Sequence, residues 1–446
     1  MQLLLTHGYF LEEDPKEREI MKPYAPLGLL HLSSHLRARG FDVEIYDSTF
    51  GSRAELLQTI ERERPAMVGI YGNLMTRRNV LEIAAHAKAS GCRVVLGGPE
   101  PANYPNEYFD AGADAIVNGE GEVSLEALLR ARDVTADFAS VPGIQYRCGD
   151  RVARTQAAPL IANLDAQPWP DRERIDLSKY LNAWRSRHGR GSISVITARG
   201  CPYHCRWCSH SVYGKTHRRR SPGSVAEEIA WIRERYDPEM LWMADDVFTI
   251  HPGWILQFVE EMKRRDLRIP FECITRADRM NERMAEALAA LGCFRVWIGS
   301  ESGSQRILDA MQRGVKVEQV REAVRVLRER AIETGMFLMW GYDGEEMVDI
   351  EATVEHVKVC RPDVFLTTVS YPIKGTPYYE DVAERVVRIG EWSGSTDREV
   401  KIRGRHSRRF YQFADQLLKS EVAGEVVAAN AARRGLRETF DEVEVA

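Results

Sequence analysis

Short apolar runs alternate with helical patterns along the first 132 residues of the chain. The runs lie at residues 3–5, 43–45, 67–71, 94–96 and 115–117, and the helical patterns at 29–39, 54–63, 80–89 and 123–132. This alternation predicts a parallel sheet covered by helices on both faces. Five strands suit an α/β, doubly wound, flavodoxin-like domain, whose ligands bind beyond the carboxyl ends of the strands.

A second series of strand–helix units begins near residue 191. Strands are predicted at 194–197, 240–243, 271–274, 294–298, 336–340 and 364–368, with a helix opening at Ser224 and others at 251–263, 282–291, 317–330 and 345–360. Six units form most of a barrel, so residues 191–385 are predicted to be a partial (β/α)6 barrel. Residues 133–190 are predicted to be a connector with a small hairpin. Residues 386–446 are predicted to be mainly helical and charged, as a cap or a substrate-facing tail.

Three cysteines, Cys201, Cys205 and Cys208, lie within eight residues in the spacing C-x3-C-x2-C. Soft thiolates favour iron–sulfur chemistry, and three of them can hold three irons of a cubane cluster while the fourth iron stays open for reaction. A structural zinc site is the alternative, but it usually takes four ligands from paired knuckles, and no second pair follows at that spacing. A disulfide with one odd thiol would suit a secreted chain, and the first residues lack the pattern of a signal peptide.

With Trp207 just before its last cysteine, the motif resembles the signature of the radical S-adenosylmethionine (SAM) enzymes. The resemblance implies a 4Fe–4S cluster whose open iron is chelated by the amino and carboxylate groups of SAM. It also implies reductive cleavage of SAM to a 5′-deoxyadenosyl radical. The motif directly follows the first predicted barrel strand, and the chemistry of such barrels lies on loops at that strand end.

The resemblance also suggests residues that contact SAM, again after barrel strands. Asp245 would pair with the ammonium group, although helix capping is the alternative use of the Asp-Asp pair. Arg276 suits the carboxylate, and a structural ion pair is its alternative. Ser300 and Glu301 lie in Gly-Ser-Glu-Ser-Gly, where Glu301 would accept hydrogen bonds from ribose or the ammonium. Tyr342 lies in a loop that would pack beside adenine, although the family usually has proline at the following position.

The loops of the N-terminal domain resemble those of the cobalamin-binding domain fused to many radical SAM enzymes. The predicted cobalamin contacts are Gly28, Tyr71, Asn73, Leu74, Gly97, Gly98, Glu100, Gly119 and Glu120. Glycine in such loops lets backbone approach a large ligand closely. The D-x-H-x-x-G motif of methionine-synthase-type domains is absent, so cobalamin would bind base-off with no histidine on cobalt. A domain that no longer binds cobalamin is the alternative.

The composition of the chain restricts the kinds of binding partner and the cell compartment that we expect. The formal net charge of −5 gives no case for general nucleic-acid binding, and no apolar stretch approaches the ~20 residues of a membrane span. The basic run at 217–220 is predicted to be a solvated turn. The other five cysteines are scattered singly, which suits a reducing cytoplasm. Only Cys92 and Cys148 lie before residue 191, which argues against the second cluster of a methylthiotransferase.

The sequence thus predicts a cobalamin-dependent radical SAM enzyme. It would methylate an unactivated carbon of a small molecule or peptide, with electrons from a carrier such as flavodoxin or ferredoxin. One alternative is a radical cyclisation, rearrangement or oxygenation, with or without cobalamin. The other is a non-catalytic redox or cobalamin-sensing protein, against which the loops that resemble SAM-binding loops argue.

Overall fold

The N-terminal domain is built on one sheet of seven strands. The computed structural model of the chain describes residues 1–131 and 138–445. The strands are β1 Leu3–His7, β2 Val43–Ile45, β3 Met67–Tyr71, β4 Arg93–Gly97, β5 Ala115–Val117, β6 Ile144–Cys148 and β7 Arg151–Arg154, in the order β2-β1-β3-β4-β5-β6-β7. Strands β1 to β5 are parallel, which confirms the doubly wound, flavodoxin-like domain.

Six helices accompany this sheet: α1 Pro15–Ile20, α2 Leu27–Arg37, α3 Arg53–Glu63, α4 Arg77–Ala89, α5 Pro105–Asp110 and α6 Gly121–Arg130. Apolar residues on both faces of the strands form two separate cores. One contains Leu56 and Ile60 of α3, and the other contains Leu36 of α2 and Leu128 of α6. All four side chains are fully buried, and burial of each contributes about 1.5–3 kcal/mol. The loops at the carboxyl ends of the strands are thereby held on a rigid frame.

The hairpin β6–β7, which we expected in a connector, extends the N-terminal sheet. Strand β6 pairs antiparallel with β5 through Ile144 and Val117. A two-stranded hairpin alone is only marginally stable in water. Pairing with β5 stabilises the hairpin and also satisfies the backbone hydrogen-bonding groups along the edge of β5. The expected domain boundary at 132/133 lies outside the described residues. The domain limits therefore remain a proposal, with the hairpin added to the N-terminal unit.

The second domain contains six parallel strands in sequential order. Its strands are β8 Ser192–Val195, β9 Ala198–Arg199, β10 Arg218–Arg219, β11 Met240–Met243, β12 Phe271–Thr275, β13 Cys293–Glu301, β14 Glu333–Trp340 and β15 Val364–Val369. The main sheet has the order β15-β14-β13-β12-β11-β8, while β9 and β10 form a separate antiparallel pair. This open, six-stranded parallel arrangement confirms the partial (β/α)6 barrel.

Helices cover the outside of the barrel: α7 Leu177–His188, α8 Pro222–Tyr236, α9 Pro252–Arg264, α10 Glu282–Leu291, α11 Gln305–Ala310, α12 Val317–Arg328, α13 Met347–Cys360 and α14 Pro377–Val382. The N-cap of helix α8 lies three residues before the predicted one. Ser221, not Ser224, is its N-cap, and the Ser221 side chain accepts a hydrogen bond from the backbone N–H of Ser224. Proline in the first turn favours this earlier start.

The arginine side chains of the basic run after the cysteines are largely buried, so its prediction as a solvated turn was wrong. Arg219 and Arg220 pair with the buried carboxylates of Asp245 and Glu228. The Arg219 guanidinium also lies 3.6 Å from the ring centroid of Trp254. The residues that neutralise and bury these arginines lie outside the basic run. The charges within the run alone therefore could not predict its burial.

The C-terminal region combines a strand pair with a helical hairpin: β16 Val386–Val387, β17 Lys401–Ile402, α15 Arg408–Ala423 and α16 Val426–Glu438. Phe410 and Leu417 of α15 join the barrel's main core beside α13. The segment between β16 and β17 crosses to the N-terminal domain, where Trp392 packs 4.4 Å from the guanidinium of Arg77. This region therefore covers one side of the barrel and fastens the two domains. Within the described residues, every helix is too short or too polar to cross a membrane.

Candidate active site

The three cysteines line one cavity of about 440 Å³ at the carboxyl ends of the barrel strands. The cysteine loop connects β9 with β10 and places Cys205 deepest, with 8% of its surface exposed. Other walls come from Asp246 after β11, Arg276 after β12 and Glu301 at the end of β13, and Trp207 of the cysteine loop also lines the cavity. Strand order alone brings these distant loops together, as expected for a barrel.

Two arginines face the buried cysteine. Nη1 of Arg276 lies 3.9 Å and Nη1 of Arg313 lies 3.7 Å from Sγ of Cys205. Arg276 is fixed by the Asp278 carboxylate at 2.8 Å and lies 3.7 Å from the ring centroid of Tyr203. Two guanidinium cations beside this sulfur complement the negative charge of thiolate ligands and of an iron–sulfur cluster. This site therefore suits an anionic cluster, while the ion pair of Arg276 is made with Asp278 in the same loop and not between neighbouring strands.

The donor set fits an iron–sulfur cluster. All three cysteines are free thiols on one short loop that faces one cavity. Their side chains do not form a pre-assembled metal group, nor does any other set of His, Cys, Asp and Glu among the described residues. Cluster assembly would thus complete the loop's arrangement, because metal binding and the ordering of its ligands are coupled.

Glu301 points into the cavity because the strand is distorted at that residue. Its φ is +59°, and Ser300 is the extra residue of a bulge between β13 and β14. A non-glycine residue in this backbone conformation costs on the order of 1–3 kcal/mol and is common at functional sites. The Glu301 carboxylate lies 3.6 Å from Nε of Arg313, and burial raises the pKa of Glu301. The bulge turns Ser300 away from the cavity. The Ser300 hydroxyl instead lies 3.1 Å from Nε2 of His356.

The two aspartates after β11 have different surroundings. Asp245 is buried and accepts hydrogen bonds from the backbone N–H and the hydroxyl of Thr197, from the N–H of Ala198 and from Arg219. Asp246 is exposed and lines the cavity, which Asp245 does not. The structure therefore separates Asp245 from the other candidate residues, and we now propose Asp246 as the carboxylate that faces SAM.

Tyr342 lies behind the cavity wall. Its ring stacks on Tyr378 at a centroid distance of 4.6 Å, and its hydroxyl donates to the carbonyl of Ala310. Both tyrosines belong to a small core against which Trp207 packs. Tyr342 would thus act by supporting Trp207. Sequence reasoning missed Arg313, Tyr203 and Phe337, which line the cavity. Arg313 and Phe337 belong to no recognisable motif, and Tyr203 occupies one of the unspecified positions between the first two cysteines.

A second cavity, of about 460 Å³ and mostly apolar, opens over the N-terminal sheet. Six of the nine predicted cobalamin contacts line it: Gly28, Tyr71, Gly97, Gly98, Gly119 and Glu120. We name it the N-terminal cavity. The N-terminal domain contributes the end of β3 and the loops after β1, β4 and β5 to its wall, which is the edge where doubly wound sheets bind ligands.

The remaining three candidates lie outside this cavity. Asn73 lines a neighbouring cleft of about 850 Å³, which shares Tyr24, Pro26 and Tyr71 with the N-terminal cavity. Leu74 lines neither space. Glu100 is buried and accepts a hydrogen bond from Nε of Arg77 at 2.5 Å. Glu100 therefore has a structural role between β4 and α4.

Two glycines at the end of β4 differ in the space that is available for a side chain. A Cβ atom on Gly97 would meet no atom within 4 Å. On Gly98, whose φ is +105°, it would lie 2.3 Å from the carbonyl oxygen of Gly72. Gly98 is therefore required by the fold, whereas the space beside Gly97 is open for a ligand.

His7, the histidine at the end of β1, is engaged by the protein. Its Nδ1 accepts from the N–H of Tyr9 at 3.2 Å, and its Nε2 lies 3.2 Å from Oδ1 of Asp47. Both ring nitrogens are thus occupied. This geometry leaves neither ring nitrogen of His7 free to bind cobalt.

Comparison with known families assigns both domains. Residues 195–357 match the Radical SAM superfamily, and residues 19–129 match the B12 binding domain. These matches confirm the cluster, SAM and cobalamin as the cofactors predicted from the sequence. They also confirm the prediction of an enzyme.

Relatives extend over most of the chain. An uncharacterised methyltransferase of Pyrococcus horikoshii is 28% identical over 85% of this chain and 83% of its own length. The anaerobic magnesium-protoporphyrin IX monomethyl ester cyclase of Synechocystis is 27% identical over 81% of this chain and 74% of its own. A solved structure of the radical SAM methyltransferase TsrM from Kitasatospora setae has the same fold, with a TM-score of 0.70 and 21% identity over 86% of this chain and 75% of that chain.

Proposed function

We propose that this chain, a member of the radical SAM superfamily with a B12 binding domain, is a cobalamin-dependent methyltransferase that acts on an unactivated carbon. One observation carries the proposal: the cysteine-lined cavity and the N-terminal cavity are adjacent and share Val212 and Tyr213 in their walls. The β4 loop links them too, since Gly98 lines the N-terminal cavity and Pro99 the cysteine-lined one. Cofactors bound in the two cavities would therefore lie side by side.

The residues present fit the two groups. Cys201, Cys205 and Cys208 would hold the cluster, and the N-terminal cavity would hold the nucleotide tail of cobalamin. When bound, the cluster with SAM supplies a radical and cobalamin supplies a methyl group; the protein orients them and excludes water. Arg276 and Arg313 would stabilise negative charge beside Cys205. Glu301 and Asp246 would bind the cationic part of SAM.

Replacement of Glu301 by glutamine should weaken SAM binding while the cluster stays assembled. The change keeps the shape of the side chain but removes its charge, and a charge-assisted hydrogen bond typically contributes about 1.5–3 kcal/mol, or about 10- to 150-fold in the dissociation constant. Anaerobic titration of cluster-loaded protein with SAM measures the effect. An unchanged dissociation constant would remove Glu301 from the binding site.

The adjacent aspartates provide a matched pair. Asp245→Asn should lower the free energy of unfolding by about 3 kcal/mol, because it leaves Arg219 buried beside a neutral group. Asp246→Asn should leave the melting temperature unchanged and weaken SAM binding by about tenfold. Thermal unfolding and SAM titration of both variants separate the roles. If Asp245→Asn lost SAM binding at unchanged stability, the assignment would be reversed.

Methyl transfer itself is tested with SAM labelled in its methyl group. Under anaerobic reduction, the protein should transfer label to bound cobalamin and, with substrate, form both 5′-deoxyadenosine and S-adenosylhomocysteine. Formation of neither product would instead support a non-catalytic protein.

Radical cyclisation is the second candidate, because one of the relatives named above is a cyclase. In that case 5′-deoxyadenosine should form with substrate, while no label should enter the product.

A substrate of small-molecule or peptide class stays a prediction, as does an electron carrier of flavodoxin or ferredoxin type. Eight free cysteines support our placement of the enzyme in a reducing cytoplasm.

A further inference from the structure

The N-terminal cavity is not built by the N-terminal domain alone. Arg199, Val212 and Tyr213 belong to the barrel domain and form part of its wall. Arg199 lies two residues before the first cluster cysteine, and Tyr213 lies five residues after the last. Both ends of the segment that carries the cluster cysteines therefore reach into the cavity of the other domain.

Ion pairs fix the first of these ends. Nη1 of Arg199 lies 3.2 Å from Glu120, and Nη2 lies 2.7 Å from Glu122. Nη1 of Arg218, the strand partner of Arg199, lies 2.8 Å from Glu120. All four side chains are largely buried, with 4–12% of their surface exposed, and the two carboxylates lie at the start of α6. Buried, mutually paired charges hold a defined geometry because breaking one pair leaves another charge unpaired.

The second end is held through the first. The Arg199 guanidinium lies 5.5 Å from the ring centroid of Tyr213, a cation–π contact that positions the ring. Val212 and Tyr213 face the N-terminal cavity and also the cysteine-lined cavity. The cysteine segment and this wall of the N-terminal cavity are therefore one continuous stretch of chain, held at its ends by contacts with Glu120, Glu122 and Arg199.

We propose that Tyr213 and Arg199 are positioning residues through which cluster assembly and binding of the cobalamin tail are coupled. The proposal rests on the proposed function for its ligands. A ligand that packs against Tyr213 binds best when the loop is ordered, and linkage requires that it stabilise the cluster in return. Coupling of this kind typically changes affinity by about 5- to 150-fold, and we expect about tenfold.

Two ligands and two cluster states test the coupling. Cobalamin and cobinamide, which lacks the nucleotide tail, are titrated into anaerobic full-length protein before and after cluster reconstitution. Cobalamin should bind the cluster-loaded protein about tenfold more tightly, whereas the ratio for cobinamide should be close to one. In reverse, cobalamin but not cobinamide should slow the removal of iron by a chelator.

Variants of the cysteine loop test whether Tyr213 carries the coupling. Tyr213→Ala should abolish the tenfold ratio at unchanged iron content, and Tyr213→Phe, which keeps the ring, should restore it. Ser211→Ala is the matched control, because Ser211 lies in the same loop and lines the cysteine-lined cavity but not the N-terminal one.

Equal cobalamin affinity with and without the cluster would overturn the coupling and leave the proposed function standing. An equal ratio for cobinamide, or a ratio that survives in Tyr213→Ala, would also overturn it. Wild-type protein that binds cobalamin in neither state would instead overturn the proposed function.

Discussion

A Cys205→Ala protein should lose the 4Fe–4S cluster and with it all SAM cleavage. Cys205 is the buried thiol of the motif and the one that Arg276 and Arg313 face. Without the thiolate, two cations would remain beside an apolar methyl group, and one iron would lack its protein ligand. Iron and sulfide analysis after anaerobic reconstitution measures the loss, and 5′-deoxyadenosine formation measures activity.

Cys148→Ala is the control for this change, because Cys148 is exposed at the end of β6. Its iron content and SAM cleavage should equal those of the wild type. Full iron content and turnover in Cys205→Ala would show that the cluster is held elsewhere.

A Gly97→Leu protein should fold normally and take up cobalamin about 10- to 100-fold more weakly. The leucine side chain would project into the N-terminal cavity, where no protein atom lies within 4 Å of the new Cβ. Packing a ligand against inserted methylenes typically costs about 1–3 kcal/mol, which corresponds to this range of affinity. Absorption titration with hydroxocobalamin measures the change, and thermal unfolding reports on the fold.

Gly253→Leu provides a matched control. A Cβ on Gly253 also meets no atom within 4 Å, but this residue lies at the exposed start of α9, outside the N-terminal cavity. Cobalamin uptake in this variant should equal that of the wild type. Replacement of Gly98 would be a poor test, because the clash with Gly72 would disturb the loop itself. Undiminished uptake by Gly97→Leu would place the tail outside the N-terminal cavity.

The fold was predictable from the sequence because both domains repeat one local pattern. Buried parallel strands read as short apolar runs, and each is followed by an amphipathic helix. Eleven strands were predicted in this way, and the six of the barrel pair only with their neighbours in the sequence. The hairpin β6–β7 was also visible, but its pairing with β5 was not, because strand pairing across a long connection leaves no local mark.

The cluster loop was predictable for a different reason: its three ligands are local in sequence. SAM contacts depend instead on side-chain direction, which the bulge at Ser300 and the choice between Asp245 and Asp246 decide. Arg313 is one of 61 lysines and arginines and carries no motif. Glu100 shows the opposite error, because a carboxylate that was predicted to contact cobalamin is instead paired with Arg77, 23 residues earlier in the chain.

The central claim is that one chain holds a 4Fe–4S cluster and base-off cobalamin side by side. The most direct measurement is metal analysis and electron paramagnetic resonance of protein produced with excess hydroxocobalamin and purified anaerobically. We predict about four irons and about one cobalt per chain, with a cobalt(II) spectrum that lacks nitrogen coupling from an axial ligand. A well-folded, cluster-loaded protein without cobalt, or a cobalt spectrum with an axial nitrogen, would contradict it.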